Sequence, residues 1–169
     1  MKRTVVTVLT DQGLATLRTK SEKVAFTVMG DGTLCLDGAT NELIADLKAF
    51  VAENGGWGMS AIQLGVAKRI FAMCRKSGDI ITIINPDCTM TTEGGIVHPE
   101  GCFSIPLPYG TGAGVARGGK VHVEYDMETG QRVQETLTGM EARIFQHEMD
   151  HLEGKLMIDE DRFEGWSKF

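Results

Sequence analysis

The sequence predicts an α+β domain: short antiparallel sheets around a central helix carrying a His-Glu-x-x-His segment, with one further helix nearer the N-terminus. Three observations lead there. Two stretches, near residues 41–53 and 139–152, show helical apolar periodicity. Short β-rich runs lie between them. The 21 glycines concentrate at 55–58, 94–95 and 110–119, which suits turns and close backbone approaches better than a helical bundle. A chain of 169 residues suits one domain, and without repeats or a low-complexity linker residues 1–169 read as a single unit.

The elements follow in order. Met1-Lys2-Arg3 and the Thr/Val stretch after it read as a first strand. The apolar run is broken by Thr7 and ends at Thr10-Asp11-Gln12 with no small-residue cleavage site, unlike an export signal. The first helix spans about Asn41 to Glu53, capped by Thr40 and stopped by Gly55-Gly56. Its apolar stripe is Leu43, Ile44, Leu47, Phe50 and Val51. Strands follow at Arg69–Cys74 and at Ile80–Asn85, the second ended by Pro86. Val121, Val123 and Tyr125 alternate with His122 and Glu124, and Glu128-Thr129-Gly130 then turns the chain into Arg132–Leu137, an antiparallel hairpin. The second helix starts at Thr138-Gly139-Met140-Glu141, which has capping-box spacing, and stops at Gly154.

Composition excludes some functions. A net charge of −6 and a pI of about 5.2 argue against nucleic acid as the main partner, because phosphate binding needs a basic surface. No apolar run approaches the roughly 20 residues of a membrane helix. The four cysteines (Cys35, Cys74, Cys88, Cys102) lack paired C-x-x-C spacing, so reduced thiols and a cytoplasmic location are expected.

The chemistry begins at His147 and His151. Four residues apart on a helix, they share one face and can both donate nitrogen to one metal ion. Glu148 is rotated about 100° from His147 and about 60° from His151, so it can stand beside the ion without ligating it. That is the place for a general base acting on water. The bland alternative is two surface histidines beside a solvated Glu. For a third ligand, the extended H-E-x-x-H-x-x-G-x-x-H protease pattern fails at Met157, a poor ligand for a borderline ion. Glu153 is too near in sequence, and Asp159, Glu160 and Asp161 read as a solvated charged tail. Cys102, in Glu100-Gly101-Cys102-Phe103-Ser104, is the strongest rival, beside a glycine that admits backbone and a Phe with a buried side chain and a free N–H. Buried, inert thiols are the reading for the other three cysteines. A third segment, Gly56-Trp57-Gly58-Met59-Ser60-Ala61-Ile62-Gln63, allows close approach of a ligand, and with no G-K-[ST] it is not a phosphate loop.

Together the three segments resemble peptide deformylase, whose members carry Gly-Φ-Gly-Φ-Ala-Ala-x-Gln, Glu-Gly-Cys-Φ-Ser and Gln-His-Glu-x-Asp-His in this order. Here these are Gly56–Gln63, Glu100–Ser104 and Gln146–His151. Weaker similarity extends to Leu17-Arg18 and Ile84-Asn85-Pro86. The resemblance implies that Cys102, His147 and His151 hold one divalent metal with water in the fourth position. The usual ion in the family is Fe²⁺, and Zn²⁺, Ni²⁺ or Co²⁺ can replace it. Glu148 would move the water's proton to the leaving amine. Gln63 and the Phe103 N–H would stabilise the oxyanion. The implied substrate is an N-formylmethionyl peptide, hydrolysed to formate and a free N-terminus. Its backbone would pair near Trp57-Gly58 and Gly101, and its methionine would sit among Gly56, Glu100, Met140, Ile144 and His147. Arg117 is the candidate partner of Glu100.

The chain also departs from the pattern. Ser60 stands where Ala is usual, Trp57 is bulkier than the usual Ile or Val, and Tyr109–Gly119 is richer in glycine. Only 18 residues follow His151, which resembles shortened phage-encoded forms and argues against ribosome docking through a C-terminal helix. The expectation is therefore a monomeric, single-domain catalytic protein of the cytoplasm (a host's, if phage-encoded), without membrane or nucleic-acid partners. Two other classes fit the residues: a metallopeptidase cutting internal amides, which would yield peptide fragments and no formate, and a non-catalytic formyl-peptide or nascent-chain binder, which has no need of Glu148 and Gln63 together.

Overall fold

In the computed structural model, which describes residues 3–90, 95–159, 161 and 163–169 (Thr89 and Met90 by backbone only), the elements run in this order. Helix α1 is Asp11–Leu17, β1 Thr27–Val28, β2 Leu34–Cys35 and α2 Gly38–Asn54. Then come β3 Gly58–Ser60, a 3-10 turn at Ala61–Leu64, β4 Ile70–Cys74, β5 Ile80–Met90 and β6 Ile96–Glu100. Strands β7 Thr111–Arg117, β8 Lys120–Asp126 and β9 Arg132–Thr138 precede α3 Gly139–Leu152, and β10 Phe163–Lys168 ends the series. All strand pairs among these elements are antiparallel, in a small β1-β2 ribbon, a three-stranded sheet β10-β7-β6 and a five-stranded sheet β3-β4-β5-β8-β9. The α+β expectation holds, and so does the β8-β9 hairpin, in register from Lys120↔Thr138 to Asp126↔Arg132.

Helix α3 joins the two larger sheets. Ala142, Ile144, Phe145 and Leu152 pack with Phe71, Met73, Val121 and Val123 of the five-stranded sheet, including an edge-on Phe71–Phe145 contact with ring centroids 5.3 Å apart. From its other side Arg143 donates to the Val115 carbonyl (3.0 Å), and Gln146 exchanges bonds with the Gly118 backbone (2.8 and 3.1 Å). An apolar stripe and a polar stripe on one helix thus seat it between two sheets. Helix α2 covers the opposite part of the five-stranded sheet with Leu43, Ile44, Leu47 and Val51, as its periodicity required.

Several local expectations are corrected. Residues 3–9 form no strand. Val6 N–H donates to the Gln63 carbonyl and Val8 N–H to that of Ser104, so the segment is shared between two chain stretches instead of pairing along one; Met1 and Lys2 lie outside the described residues. A short helix, α1, was not foreseen: Thr10 Oγ1 accepts from Gly13 N–H (3.0 Å), and Leu17 is buried beside Leu156 and Met157. Seven residues containing a glycine give no periodic signal. The cap of α2 is Asp37, whose Oδ1 accepts from Thr40 N–H at 2.6 Å. Thr40 lies inside the helix, and its hydroxyl accepts from Lys68. Asp and Thr are both good caps, and the earlier one in the chain takes the role. At α3, Thr138 makes no side-chain capping bond, and Glu141 reaches the Lys76 N–H (2.9 Å) and Arg75 (3.0 Å) instead. Asp159 is not a solvated tail residue: it grips the Arg18 guanidinium at 2.6 and 2.7 Å and caps Leu156 N–H. Glu160 lies outside the described residues. The last segment is a strand, β10, on β7.

Pro86 does not end β5. The register with β8 shifts between Ile84 and Asp87, and the strand continues past the proline through this bulge. Asn85 takes a left-handed φ of 49°, the only non-glycine among the described residues to do so. Its amide explains the tolerance. Oδ1 accepts from Val24 N–H (2.7 Å), and Nδ2 donates to Val24 O (2.9 Å) and Asp126 Oδ2 (3.0 Å). Asn85→Ala removes these bonds and keeps the strain, so it is expected to cost roughly 2–4 kcal/mol. For a chain of this size that is a fall of about 5–12 °C in thermal midpoint. Asn85→Gly, which relieves only the strain, should recover part of it. A fall under about 2 °C in the alanine variant, read by circular dichroism, would remove Asn85 as the anchor of the bulge.

Candidate metal centre and catalytic cleft

Strand β3 ends one sheet order and β6 ends another, and the cleft lies between these edges with α3 as its floor. Its volume of about 630 Å³ falls in the range of small-molecule and peptide sites. The residues singled out from the sequence that line it are Gly56, Trp57, Gly58, Gln63, Glu100, Gly101, Cys102, Phe103, Met140, Ile144, His147 and Glu148, while His151, Arg117 and Ser60 are buried behind.

Cys102, His147 and His151 converge, with one ligand atom of each within 4.8 Å of the others. The imidazoles come from successive turns of α3 and stand edge to face, centroids 5.0 Å apart. Cys102 arrives from the turn after β6, closed by Ile105 N–H to the Cys102 carbonyl, and its Sγ is 3.3 Å from His151 Nε2. One thiolate and two imidazoles suit a borderline divalent ion in a four-coordinate site with one open position. The electrostatics agree. Burial alone would lower the His147 pKa, but its bonds with Cys102 and Glu100 raise it well above the usual value. Burial, and then His147 itself, push His151 well below.

Glu148 and Gln63 flank the trio. Burial pushes the Glu148 carboxyl up, against the lowering effects of His147 and Ser60. Ser60 Oγ donates to Glu148 Oε2 at 2.6 Å. Gly58 is required on the other side, since a Cβ there would lie 2.5 Å from Glu148 Oε1. Gln63 accepts from Ser60 N–H through Oε1 (2.8 Å), which turns Nε2 toward Ser104 Oγ (3.2 Å) and Cys102 Sγ (3.4 Å). Phe103 corrects an expectation: its ring is 40% exposed, stacked edge-on against Phe50 and over Gly56 at the cleft wall.

Beneath the cleft Glu100 is buried and fully engaged. Arg117 grips both oxygens (2.6 and 2.9 Å), as anticipated, Arg143 adds a bond at 2.6 Å, and His147 Nδ1 lies 2.9 Å from Oε2. Arg117 also reaches Asp150 (2.7 Å). Arg143 and Asp150 were missed in the sequence. Their spacing from His147, four before and three after on one helix, was the available signal. Phe169 was missed too. It lines the cleft from the end of β10, and nothing in the sequence joins it to the site.

Burial would raise the Glu100 carboxyl, but the bonds from His147 and Arg117 outweigh it and hold it far below the carboxylate range. A depressed folded-state pKa contributes stability that is complete above the unfolded-state value, near 4.5, and is lost as pH falls through the folded one. Arg117→Met weakens that hold and strands buried charge. It should destabilise by about 3 kcal/mol at neutral pH, the low end for a broken buried pair because Arg143 remains. Its acid unfolding should begin at higher pH than wild type. Superimposable acid-unfolding curves would refute this account.

A sequence model of the polypeptide deformylase family matches residues 6–164. The peptide deformylase of Pseudothermotoga lettingae is 38% identical over 124 residues, 73% of this chain and 70% of that protein. The crystal structure of peptide deformylase from Thermotoga maritima superposes with a TM-score of 0.80 at 28% identity, covering 98% of this chain and 99% of that one. A probable peptide deformylase from Synechococcus phage S-SSM7 superposes with a TM-score of 0.76 at 27% identity, covering 93% and 98%. The chain belongs to the peptide deformylase family, the metal-dependent hydrolases that remove the N-formyl group from N-formylmethionyl peptides.

Proposed function

We propose that residues 1–169 act as a single catalytic domain in which Cys102, His147 and His151 hold Fe²⁺, Glu148 is the general base, and Gln63 and the Phe103 N–H bind the oxyanion. The observation that carries the reading is the pairing of a buried carboxylate and an oriented amide on either side of a Cys-His-His trio, at the floor of a cleft between two sheet edges. Zn²⁺, Ni²⁺ and Co²⁺ suit the same donors. When bound, the ion supplies Lewis acidity, which brings the pKa of water at an open position to near 7.

The chain's own groups do the rest. The edges of β3 and β6 offer backbone partners to an extended peptide, so the formyl-methionyl backbone lies along the Trp57-Gly58 and Gly101 stretches by strand addition. Its methionine side chain enters between Gly56, Glu100, Met140, Ile144 and His147. Glu148 takes a proton from the attacking water and returns it to the departing amine. Gln63 Nε2 is already aimed at the trio, and a preorganised donor of this kind contributes about 10²–10³ in turnover. Glu100 keeps the His147 ring oriented by holding Nδ1, which leaves Nε2 for the ion.

The protein acts on nascent chains as a cytoplasmic monomer, a host's cytoplasm if phage-encoded. No helix among the described residues is long and apolar enough to cross a membrane, and the acidic charge supports neither a membrane nor a nucleic-acid role. Since Phe163–Lys168 is a strand, ribosome docking through a helix at that position is not part of the proposal.

Protein purified without oxygen and loaded with Fe²⁺ should release formate from a formyl-Met tripeptide. Glu148→Ala should keep its metal and lose activity by about 10²–10⁴-fold. New internal peptide fragments in place of formate would point to a metallopeptidase, and metal-loaded wild type releasing neither would leave a binding module.

A further inference from the structure

We infer that Ser60 is a positioning residue for the general base: its hydroxyl anchors one carboxylate oxygen of Glu148 and so fixes the other toward the cleft. This rests on the reading of Glu148 as the base. Ser60 is fully buried at the end of β3, where its backbone pairs with Phe71. Its Oγ lies 2.6 Å from Glu148 Oε2 and 3.2 Å from the Glu148 carbonyl oxygen. A hydroxyl has one proton to give, and the shorter, charge-assisted partner takes it.

The second oxygen is fixed by contact. Glu148 Oε1 lies so close over Gly58 that an added Cβ would come within 2.5 Å, and Glu148 lines the cleft. The carboxylate is therefore clamped, with Oε2 tied to one end of β3 and Oε1 laid against the other. Without the hydroxyl, only the packing against Gly58 remains, and contact with a glycine offers no hydrogen bond to fix the rotation of the carboxylate. The site has no spare donor for Oε2 among the hydrogen bonds of the described residues, so the anchor is the serine alone.

The same residue touches the oxyanion donor at two points, in a capping box at the start of the 3-10 turn: its side chain faces the Gln63 backbone N–H, and its own N–H holds the Gln63 side chain. Ser60 N–H holds Gln63 Oε1, a bond that any residue other than proline can make. Changing the side chain releases the base and keeps the Ser60 N–H that orients the Gln63 amide, and the Glu148→Ala background separates any effect passing through the 3-10 turn from the effect on the base. Alanine at this position keeps the β carbon and the β3–β4 backbone pairing and removes only the hydroxyl.

The test compares Fe²⁺-loaded wild type, Ser60→Ala, Glu148→Ala and the double variant on a formyl-Met tripeptide. For Ser60→Ala, kcat should fall about tenfold with KM within about twofold, the pattern of a mis-set catalytic group with substrate binding intact. Bound iron should match wild type, and the thermal midpoint should fall by no more than the few degrees that one buried hydrogen bond is worth. In the Glu148→Ala background the serine change should have no further effect, because a residue acting through Glu148 has nothing left to act on. An unchanged kcat in Ser60→Ala overturns the inference alone. An equal loss in both backgrounds, or loss of iron, assigns Ser60 a structural role and also overturns it. If Glu148→Ala is as active as wild type, the base assignment falls and the inference with it.

Discussion

The site depends on one buried carboxylate. Glu100 sits at the end of β6 and draws together β7 through Arg117 and α3 through Arg143 and His147. A lone carboxylate in this position would cost several kcal/mol in lost hydration, so the sheet edge and the helix can approach only if the cations come with it. Once they do, three things are set together. The His147 ring is oriented, the end of β6 is fixed against α3, and Cys102, two residues beyond Glu100, is delivered to the imidazoles. The metal centre is thus a consequence of how two elements are pinned. Asp150, on the same face of α3, takes the remaining arm of Arg117, so the ion network runs the length of the metal-binding turn.

The cleft is made by what this network keeps apart. Strands β3 and β6 belong to different sheets, and each leaves one edge unpaired toward the other. Unpaired edges invite another strand, and here the space between them is the size for an extended peptide. Glycine at positions 56 and 58 keeps the β3 side clear. A side chain at 56 would strike the Phe103 ring, and one at 58 would strike Glu148. Trp57, 59% exposed between them, points a large apolar surface at whatever enters. Chain flexibility is therefore not needed to explain access. The walls are built open.

Legibility in the sequence followed the length scale of each constraint. The α3 histidines and Glu148 were readable because helix geometry converts a spacing of four into one face. The hairpin was readable because alternation and a turn sequence are local. Elements fixed by distant partners were not. Residues 3–9 take their bonds from Gln63 and Ser104, and the bulge at Pro86 is held by Val24 and Asp126 through Asn85. In isolation Pro86 has every reason to end a strand. Likewise Phe103 looked like a core residue by type, and its exposure follows only from the cleft it borders. The third ligand lay between: composition nominated Cys102, motif resemblance raised it, and a 4.8 Å cluster supports it.

That gradient also says where this chain differs from its relatives. Residues whose role is set by the Glu100 network leave little room for change, because replacing one strands a charge on another. Ser60 is under no such restriction. It touches Glu148 with a neutral hydroxyl, so its removal breaks no ion pair, although it leaves one oxygen of the carboxylate without its hydrogen bond. Trp57 is similarly free, being held by its backbone and exposed by its ring. Trp57 precedes β3 and Ser60 ends it, on the edge strand of the substrate side, whereas the metal-ligand trio and Glu148 rest on α3 and the turn after β6. The division is physical: one wall of the cleft is welded by buried charge, and the other is bound mainly by backbone pairing, with close contacts that restrict positions 56 and 58 more than 57 and 60. Variation in rate and specificity is expected to collect on the second wall, and the departures in this sequence at 57 and 60 both fall there.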